Sequence, residues 1–320
     1  MKNIWLDCDP GHDDAMAILM AAFHPSINLL GISTVAGNQS VEKTTANARA
    51  ILSAVGKANI PVFQGQGAAL LSPMPFCAEI HGESGLDGPD GNPLFPLQAP
   101  PEMEQPWLPA MKETILQTAR ETGEAVWLVC TGSLTNAALL LTMHPEIRQH
   151  IKISLMGGAM GIGNTGPVAE FNIENDPEAA HIVFESGVEL TMVPLEVTHT
   201  VLADQEVLDR IGTHSPFRKK ITDLLLFFSE TYKRVFGFDH PPLHDPLAVY
   251  FVLNPEAFSC REMRVDIERS SVLSRGQTVC DYYGRSSGKA NCRVALKVEV
   301  AAFWDEMLEC LERAEPHFAG

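Results

Sequence analysis

Short apolar runs alternate with amphipathic, helix-length segments through the first two thirds of the chain. NIWLDC (residues 3–8) leads into a helical pattern from about His12, and INLLGISTVAG (27–37) into another from about Val41. AVWLVCTG (125–132) precedes a helix after Ser133, KISLMGG (152–158) follows, and the helix-like DPEAAHIVFESG (176–187) leads into the strand candidate ELTMVPL (189–195). Such βαβα order predicts an α/β fold with an open, mostly parallel central sheet flanked by helices on both faces. Right-handed crossovers leave few topologies to consider. The second half changes character. A long helical stretch is expected near Ser215 to Phe236 and another near Pro246 to Val252. A strand-rich region follows from Met263 to Val300, then a C-terminal helix over Trp304 to Ala314. Gln64 to Gln105 is rich in proline and glycine and long for a connection, which marks it as a binding-loop candidate.

Length and charge narrow the class. At 320 residues, 45% of them hydrophobic, the chain is expected to form a single domain, 1–320. A formal charge of −17 is wrong for gripping a phosphate backbone or an anionic membrane, so neither nucleic acid nor membrane is an expected partner. No signal peptide is evident, and no uninterrupted apolar run reaches spanning length. Seven cysteines, none in a CxxC pair, suit a reducing compartment; the cytoplasm is the expected location.

Chemistry collects after the first strand. Asp7, Asp9, Asp13 and Asp14 lie within eight residues at a strand-to-helix turn, an arrangement that repulsion disfavours unless a cation or dedicated hydrogen bonds compensate. Helix capping accounts for one or two of these carboxylates, not the set. Ligands in open α/β sheets bind beyond the carboxyl ends of the strands, and polar residues accumulate there. Gly37 and Asn38 follow the second strand, Thr131 to Ser133 the VWLVC strand, and Asn164, Glu170 and Asn172 the ISLMGG strand; His244 and Asp245 open a later helix. An all-oxygen ligand set on flexible loops favours Ca²⁺ over Mg²⁺.

The segments DCDPGHDDAMAI, VAGN, HGESGLDG, TGSLTNAA, MGGAMGIGNTGPVAEFNIENDPEAA and PLHDP, with the weaker TVCDYYG beyond them, resemble the inosine–uridine nucleoside hydrolases. The resemblance implies a Rossmann-like fold and hydrolysis of the N-glycosidic bond of ribonucleosides to ribose and free base. It implies that Asp9, Asp14, the main-chain carbonyl of Thr131 and Asp245 hold Ca²⁺, and that Asp9 is also the base that deprotonates water. By the same resemblance Asp13 and Asn38 hold the ribose 2′-hydroxyl, and Asn164, Glu170 and Asn172 the 3′ and 5′ side. His244 matches the residue proposed to protonate the leaving base, although a histidine that only orients Asp245 is the plainer reading. His81 matches a base-side histidine, and Met156 a position beneath the sugar. Phe171 is placed to pack on sugar and base. Phe228, Tyr232 and Phe236 are helix-spaced; such a stripe is commonly core, but Tyr232 and Phe236 fall where family members differ by the base they accept. They lean the expectation towards uridine and cytidine, with purine or broad specificity as the alternative. A homo-oligomer is implied, dimer and tetramer both being open.

Two readings of other classes compete. A haloacid-dehalogenase-type phosphohydrolase also uses DxD after its first strand, but here the threonine and downstream lysine for phosphate are lacking and the acidity repels a polyanion. A non-catalytic calcium- or nucleoside-binding protein would not need Asp9, which is present.

Overall fold

The computed structural model describes residues 1–74, 76, 78–96 and 106–319. Strand β1 (Lys2–Cys8) is followed by α1 (His12–Phe23), β2 (Ile27–Thr34), α2 (Val41–Ala54), β3 (Val62–Gln64) and the single turn α3 (Ala78–His81). Next come α4 (Trp107–Thr122), β4 (Val126–Cys130), α5 (Thr135–Met143), β5 (Ile151–Met156), α6 (Phe171–Asn175), α7 (Pro177–Phe184) and β6 (Leu190–Val193). After α8 (Leu195–Thr198) and α9 (Gln205–Ile211) the long α10 (Pro216–Phe236) and α11 (Pro246–Leu253) precede β7 (Phe258–Met263), β8 (Val265–Ile267), β9 (Thr278–Cys280), β10 (Cys292–Val298) and α12 (Val300–Ala314).

The central sheet has the order β3-β2-β1-β4-β5-β6-β10-β7. Its strands pair in parallel except at the edge, where β7 runs antiparallel to β10. Chain order therefore runs outward from β1 to β3 in one direction and from β4 to β6 in the other, with β10 inserted before the edge strand β7. That reversal opens a crevice between the carboxyl ends of β1 and β4, where neighbouring crossovers leave on opposite faces.

Alternation along β1 divides the core. Ile4, Leu6 and Cys8 pack with α1, α11 and α12 in one cluster, whereas Trp5 belongs to the other, against α4 and α5. Asp7 also lies on the Trp5 side, where Ser33 and the Asn136 amide donate to its carboxylate. Burial pushes Asp7 up to about 7 despite those donors.

The main expectations for the elements hold, with boundary corrections at the C-terminal end. The α12 helix begins at Val300, four residues before Trp304, and the strand region begins at Phe258 rather than Met263. Two short strands of that region, β8 and β9, form a separate antiparallel pair. The Thr278 hydroxyl of this pair donates to the Ala159 carbonyl and accepts from the Ala159 N–H, clasping the loop after β5. The α4 helix was not among the expected elements although its buried Trp107, Ala110, Met111, Ile115, Leu116 and Ala119 recur at helical spacing, and the three-residue β3 is too short to show a period. The expected binding loop Gln64 to Gln105 is only partly within view, since 75, 77 and 97–105 lie outside the described residues. Its earlier part is pinned to the sheet's carboxyl end, where Gln66 N–H donates to Asn136 and Leu70 N–H to Asp176. Among the described residues no helix is long and apolar enough to cross a membrane.

Trp5 couples these layers: its indole stacks on Phe63 at 5.8 Å and donates to the Ser33 hydroxyl at 3.0 Å, with no solvent exposure. Trp5→Ala is expected to cost about 3–5 kcal/mol in urea unfolding through the cavity left behind; a loss below about 1 kcal/mol would show that the sheet closes over the vacancy.

Candidate active site

Two glycines decide where the Asp9 carboxylate sits. A Cβ at Gly37, after β2, would collide with its Oδ2, and one at Gly132, after β4, with its Oδ1. The VAGN and TGSLTNAA segments thus admit the carboxylate between two loop backbones. Asn38 N–H donates to Asp9 Oδ2 at 2.8 Å, and the Asn38 amide donates to the Asp9 carbonyl and to Asp14 Oδ2. Asp9 Oδ1 is buried and meets no hydrogen-bond donor.

The α1 helix begins immediately afterwards and turns two more carboxylates to the same point. Asp14 Oδ2 accepts the Gly11 N–H at 3.0 Å, capping the helix, and its Oδ1 accepts the Thr131 hydroxyl at 2.8 Å. Carboxylate oxygens of Asp13, Asp14 and Asp245 lie within 4.8 Å of one another, all three residues buried. The trio differs from the ligand set implied by resemblance, since it contains Asp13 where that set has Asp9. The Thr131 carbonyl accepts the Asn172 amide at 2.8 Å.

Burial with like-charged neighbours makes this cluster costly to ionise. Asp9 is pushed well above the usual carboxylate range by burial and then by Asp14; Asp245 likewise, by burial and then by Asp13 and Asp14. Burial, then Asp14, raises Asp13 to about 7. Among the described residues no lysine or arginine lines the adjoining cavity. An orphaned carboxylate oxygen, a buried acidic trio and oxygen-only donors together fit a hard cation.

The cavity, about 250 Å³, opens from the carboxylates. On one side the loop after β5 returns to α6, whose first turn Glu170 caps by accepting the Asn172 and Ile173 N–H groups, while also accepting Gly158 N–H at 2.8 Å. Burial nonetheless pushes Glu170 up to about 7. Asn164 Oδ1 accepts the Phe171 N–H at 2.9 Å, and the Asn172 amide also bonds the Met156 carbonyl. Asp13, Asn38, Asn164, Glu170, Phe171 and Asn172 all line the cavity, as does Met156 at its floor.

The far end is aromatic. Phe228 is fully buried yet reaches the lining, so it is both core and wall. Tyr232 packs edge-on against it at 4.6 Å, and the half-exposed Phe236 follows at 5.0 Å from Tyr232. Tyr232 hydroxyl and His244 Nε2 are 2.7 Å apart, and His244 Nδ1 meets the Thr198 hydroxyl at 2.7 Å. Burial, then the neighbouring His199, holds His244 well below the usual histidine range, so the ring is neutral at pH 7. His81 also lines this end. The structure thus brings to one site every residue to which the resemblance gave a role, with Asp9 and Asp14 beneath the lining, whereas Asp7 of the same acidic run is held apart by Ser33 and Asn136.

Three supporting residues were not singled out beforehand. Thr198 lies on a one-turn helix far from any motif. Glu196, on the same turn, accepts the Met160 and Gly161 N–H groups and anchors the loop after β5. His12 lies inside the first motif, but its role depends on a loop about 70 residues away. No local pattern marks such long-range partners.

Comparison with known proteins bears directly on this geometry. The family model described as inosine-uridine preferring nucleoside hydrolase matches residues 4–305. A probable ribonucleoside hydrolase of Dictyostelium discoideum is 46% identical over 98% of this chain and 95% of its own length. The pyrimidine-specific ribonucleoside hydrolase RihA of Citrobacter koseri is 40% identical, over 96% and 97% respectively. Among solved structures, the purine-preferring ribonucleoside hydrolase from Gardnerella vaginalis superposes with a TM-score of 0.88 at 29% identity, covering 98% of this chain and all of that one. With a match across nearly its whole length and a buried carboxylate cluster at the sheet's switch point, the chain belongs to the inosine-uridine preferring nucleoside hydrolase family.

Proposed function

We propose that this chain is a calcium-dependent ribonucleoside hydrolase with a preference for pyrimidine nucleosides. The observation that carries the reading is the buried, unpartnered Asp9 Oδ1 beside Asp13, Asp14 and Asp245, at a cavity that no lysine or arginine lines among the described residues.

Asp9, Asp14, Asp245 and the Thr131 carbonyl would hold the ion. Bound there, calcium would supply a fixed positive charge that orients the ribose diol and makes water easier to deprotonate. Asp9 would take the proton of the attacking water at Oδ1, the carboxylate oxygen that meets no donor. Asp13 and Asn38 hold the 2′-hydroxyl, while Asn164, Glu170 and Asn172 hold the 3′ and 5′ side. As the glycosidic bond breaks, positive charge grows on the ribose ring, and the surrounding carboxylates stabilise it as they do in glycosidases.

Departure of the base is served from the aromatic end. With the His244 ring neutral, its Nε2–H can donate to the Tyr232 oxygen and turn the Tyr232 hydroxyl towards the departing base, to which that hydroxyl donates a hydrogen bond. A pyrimidine has no ring nitrogen equivalent to purine N7, so a polar hydroxyl within the aromatic wall suits a pyrimidine; the names of the RihA relatives point the same way. The Gardnerella neighbour prefers purines, and broader specificity is the alternative. A homo-oligomer, dimer or tetramer, of single-domain subunits in the cytoplasm completes the proposal.

Reducing-sugar release from uridine, cytidine, inosine and adenosine, with Ca²⁺ and after exhaustive chelation, tests the reading. Release faster from the pyrimidines and lost on chelation is expected. No release from any nucleoside, with Ca²⁺ demonstrably bound, would instead favour a binding protein.

Deoxyuridine is expected to be a poor substrate, by roughly tenfold or more in kcat/KM, because Asp13 and Asn38 lose a shared hydroxyl partner. A deoxyuridine rate equal to that of uridine would refute the 2′ assignment.

Stability should also report the cluster. Asp13 and Glu170 are raised in the folded state to about 7, from 3.8 and 4.5. The folded state therefore binds their protons more tightly than the unfolded chain, and this contribution is full below about pH 4 and lost as pH rises towards 7. The calcium-free protein is expected to melt at a lower temperature at pH 8 than at pH 5, with added Ca²⁺ raising Tm more at pH 8. A calcium-free Tm that rises over that interval would contradict the assignment.

A further inference from the structure

His81 enters the cavity from the HGESGLDG loop, and its ring is held by a second histidine that does not line the cavity at all. His12, in the first turn of α1, is completely buried. Its Nε2 lies 2.9 Å from the Asp87 carbonyl; since a carbonyl only accepts, that nitrogen carries a hydrogen, and the ring orientation is settled. Nδ1 of His12 is then without a hydrogen and accepts one from His81 Nδ1 at 3.2 Å, so the His12 main-chain N–H, 3.3 Å from that same nitrogen, is a close contact and not its donor in this tautomer.

Packing fixes both rings from the sides. Phe227 stacks on His12 at 4.8 Å and 4°, and Phe228 lies 5.9 Å from His12 and 5.7 Å from His81. Gly11 leaves room for the approach, because a Cβ there would fall 2.5 Å from His81 Nδ1. The loop is also closed on itself: the Asp87 carboxylate accepts the Glu83 N–H at 2.7 Å and the Ser84 N–H and hydroxyl. Ordinary core packing at His12 would be met by an apolar side chain at less desolvation cost. The two polar contacts made by this ring go to one loop, and that loop carries the histidine of the base end.

We propose that His12 is the positioning residue for the leaving-base side of the site: it pins His81 by its Nδ1 edge and so presents the Nε2 edge to the nucleobase. The inference rests on the reading that His81 faces the base. It separates His12 from its neighbours Asp13 and Asp14, which serve the ribose end although they belong to the same helical turn.

The test compares uridine, or whichever ribonucleoside the wild type cleaves fastest, with 4-nitrophenyl β-D-ribofuranoside, whose leaving group departs as a stable anion and needs little help from the base end. The two rates are measured in the same preparation, so their ratio does not depend on the fraction of folded enzyme. In His12→Phe, which keeps a stacked ring but loses both polar contacts, kcat on the nucleoside is expected to fall by on the order of tenfold or more, with the aryl riboside changed less than about twofold. His12→Gln, whose amide can still donate to the Asp87 carbonyl, should recover part of the ratio. His81→Ala should lower the ratio too, and adding His12→Phe to it should lower it no further. An unchanged ratio in His12→Phe and His12→Gln, whether both substrates slow equally or neither does, would overturn the proposal; so would additive losses in the double variant. Failure of the wild type to cleave any ribonucleoside would refute the hydrolase reading itself, and this inference with it.

Discussion

Everything at the carboxyl end of the sheet answers to one constraint: Asp9, Asp13, Asp14 and Asp245 are buried at a single point with no lysine or arginine beside them among the described residues. Burial of several like charges is strongly unfavourable unless they are protonated or share a cation. The surrounding structure does not neutralise them with basic residues. It supplies neutral donors to some oxygens, from Asn38, Gly11 and Thr131, and leaves Asp9 Oδ1 without one. Such an arrangement favours binding a hard cation over stability of the empty fold, and it places strong negative potential where a glycosidic bond would develop positive charge.

The topology makes that concentration geometrically possible. Reversal of strand order at β1 and β4 opens the crevice, and the glycines at positions 37 and 132 let two loop backbones close on one carboxylate. Glu170 shows the complementary device, a carboxylate held in place by three main-chain N–H groups at the start of α6. Rigid strands thus set the positions, and short loops set the chemistry.

The opposite end of the cavity is built by different means. Its polar atoms come from Tyr232, His244 and His81, each embedded in aromatic packing and each held by a partner distant in sequence: His244 by Thr198 and Tyr232, His81 by His12. Rings stacked on rings tolerate exchange of one base for another more readily than a carboxylate cluster tolerates loss of a member. Proteins similar to this chain are named pyrimidine-specific and purine-preferring alike.

Much of this was legible in the sequence, for reasons that are local. Period-two strands, helical amphipathicity and the polar residues after each strand are written in short windows, which is why β1, β2, β4, β5 and β6 and the acidic cluster of residues 7–14 could be read without coordinates. The order of motifs carried the family resemblance for the same reason. The three-residue β3 has too few positions to show a period, and α4 lies beyond a stretch whose composition masks its start. What only the tertiary structure decided is which groups are partners: that the proximate acidic trio is Asp13, Asp14 and Asp245, that His244 is already bonded to Tyr232, and that His12 holds His81. Those pairings depend on separations of 12 to more than 200 residues being closed by the sheet, and on the direction of each side chain within a buried site, neither of which leaves a periodic trace in the chain.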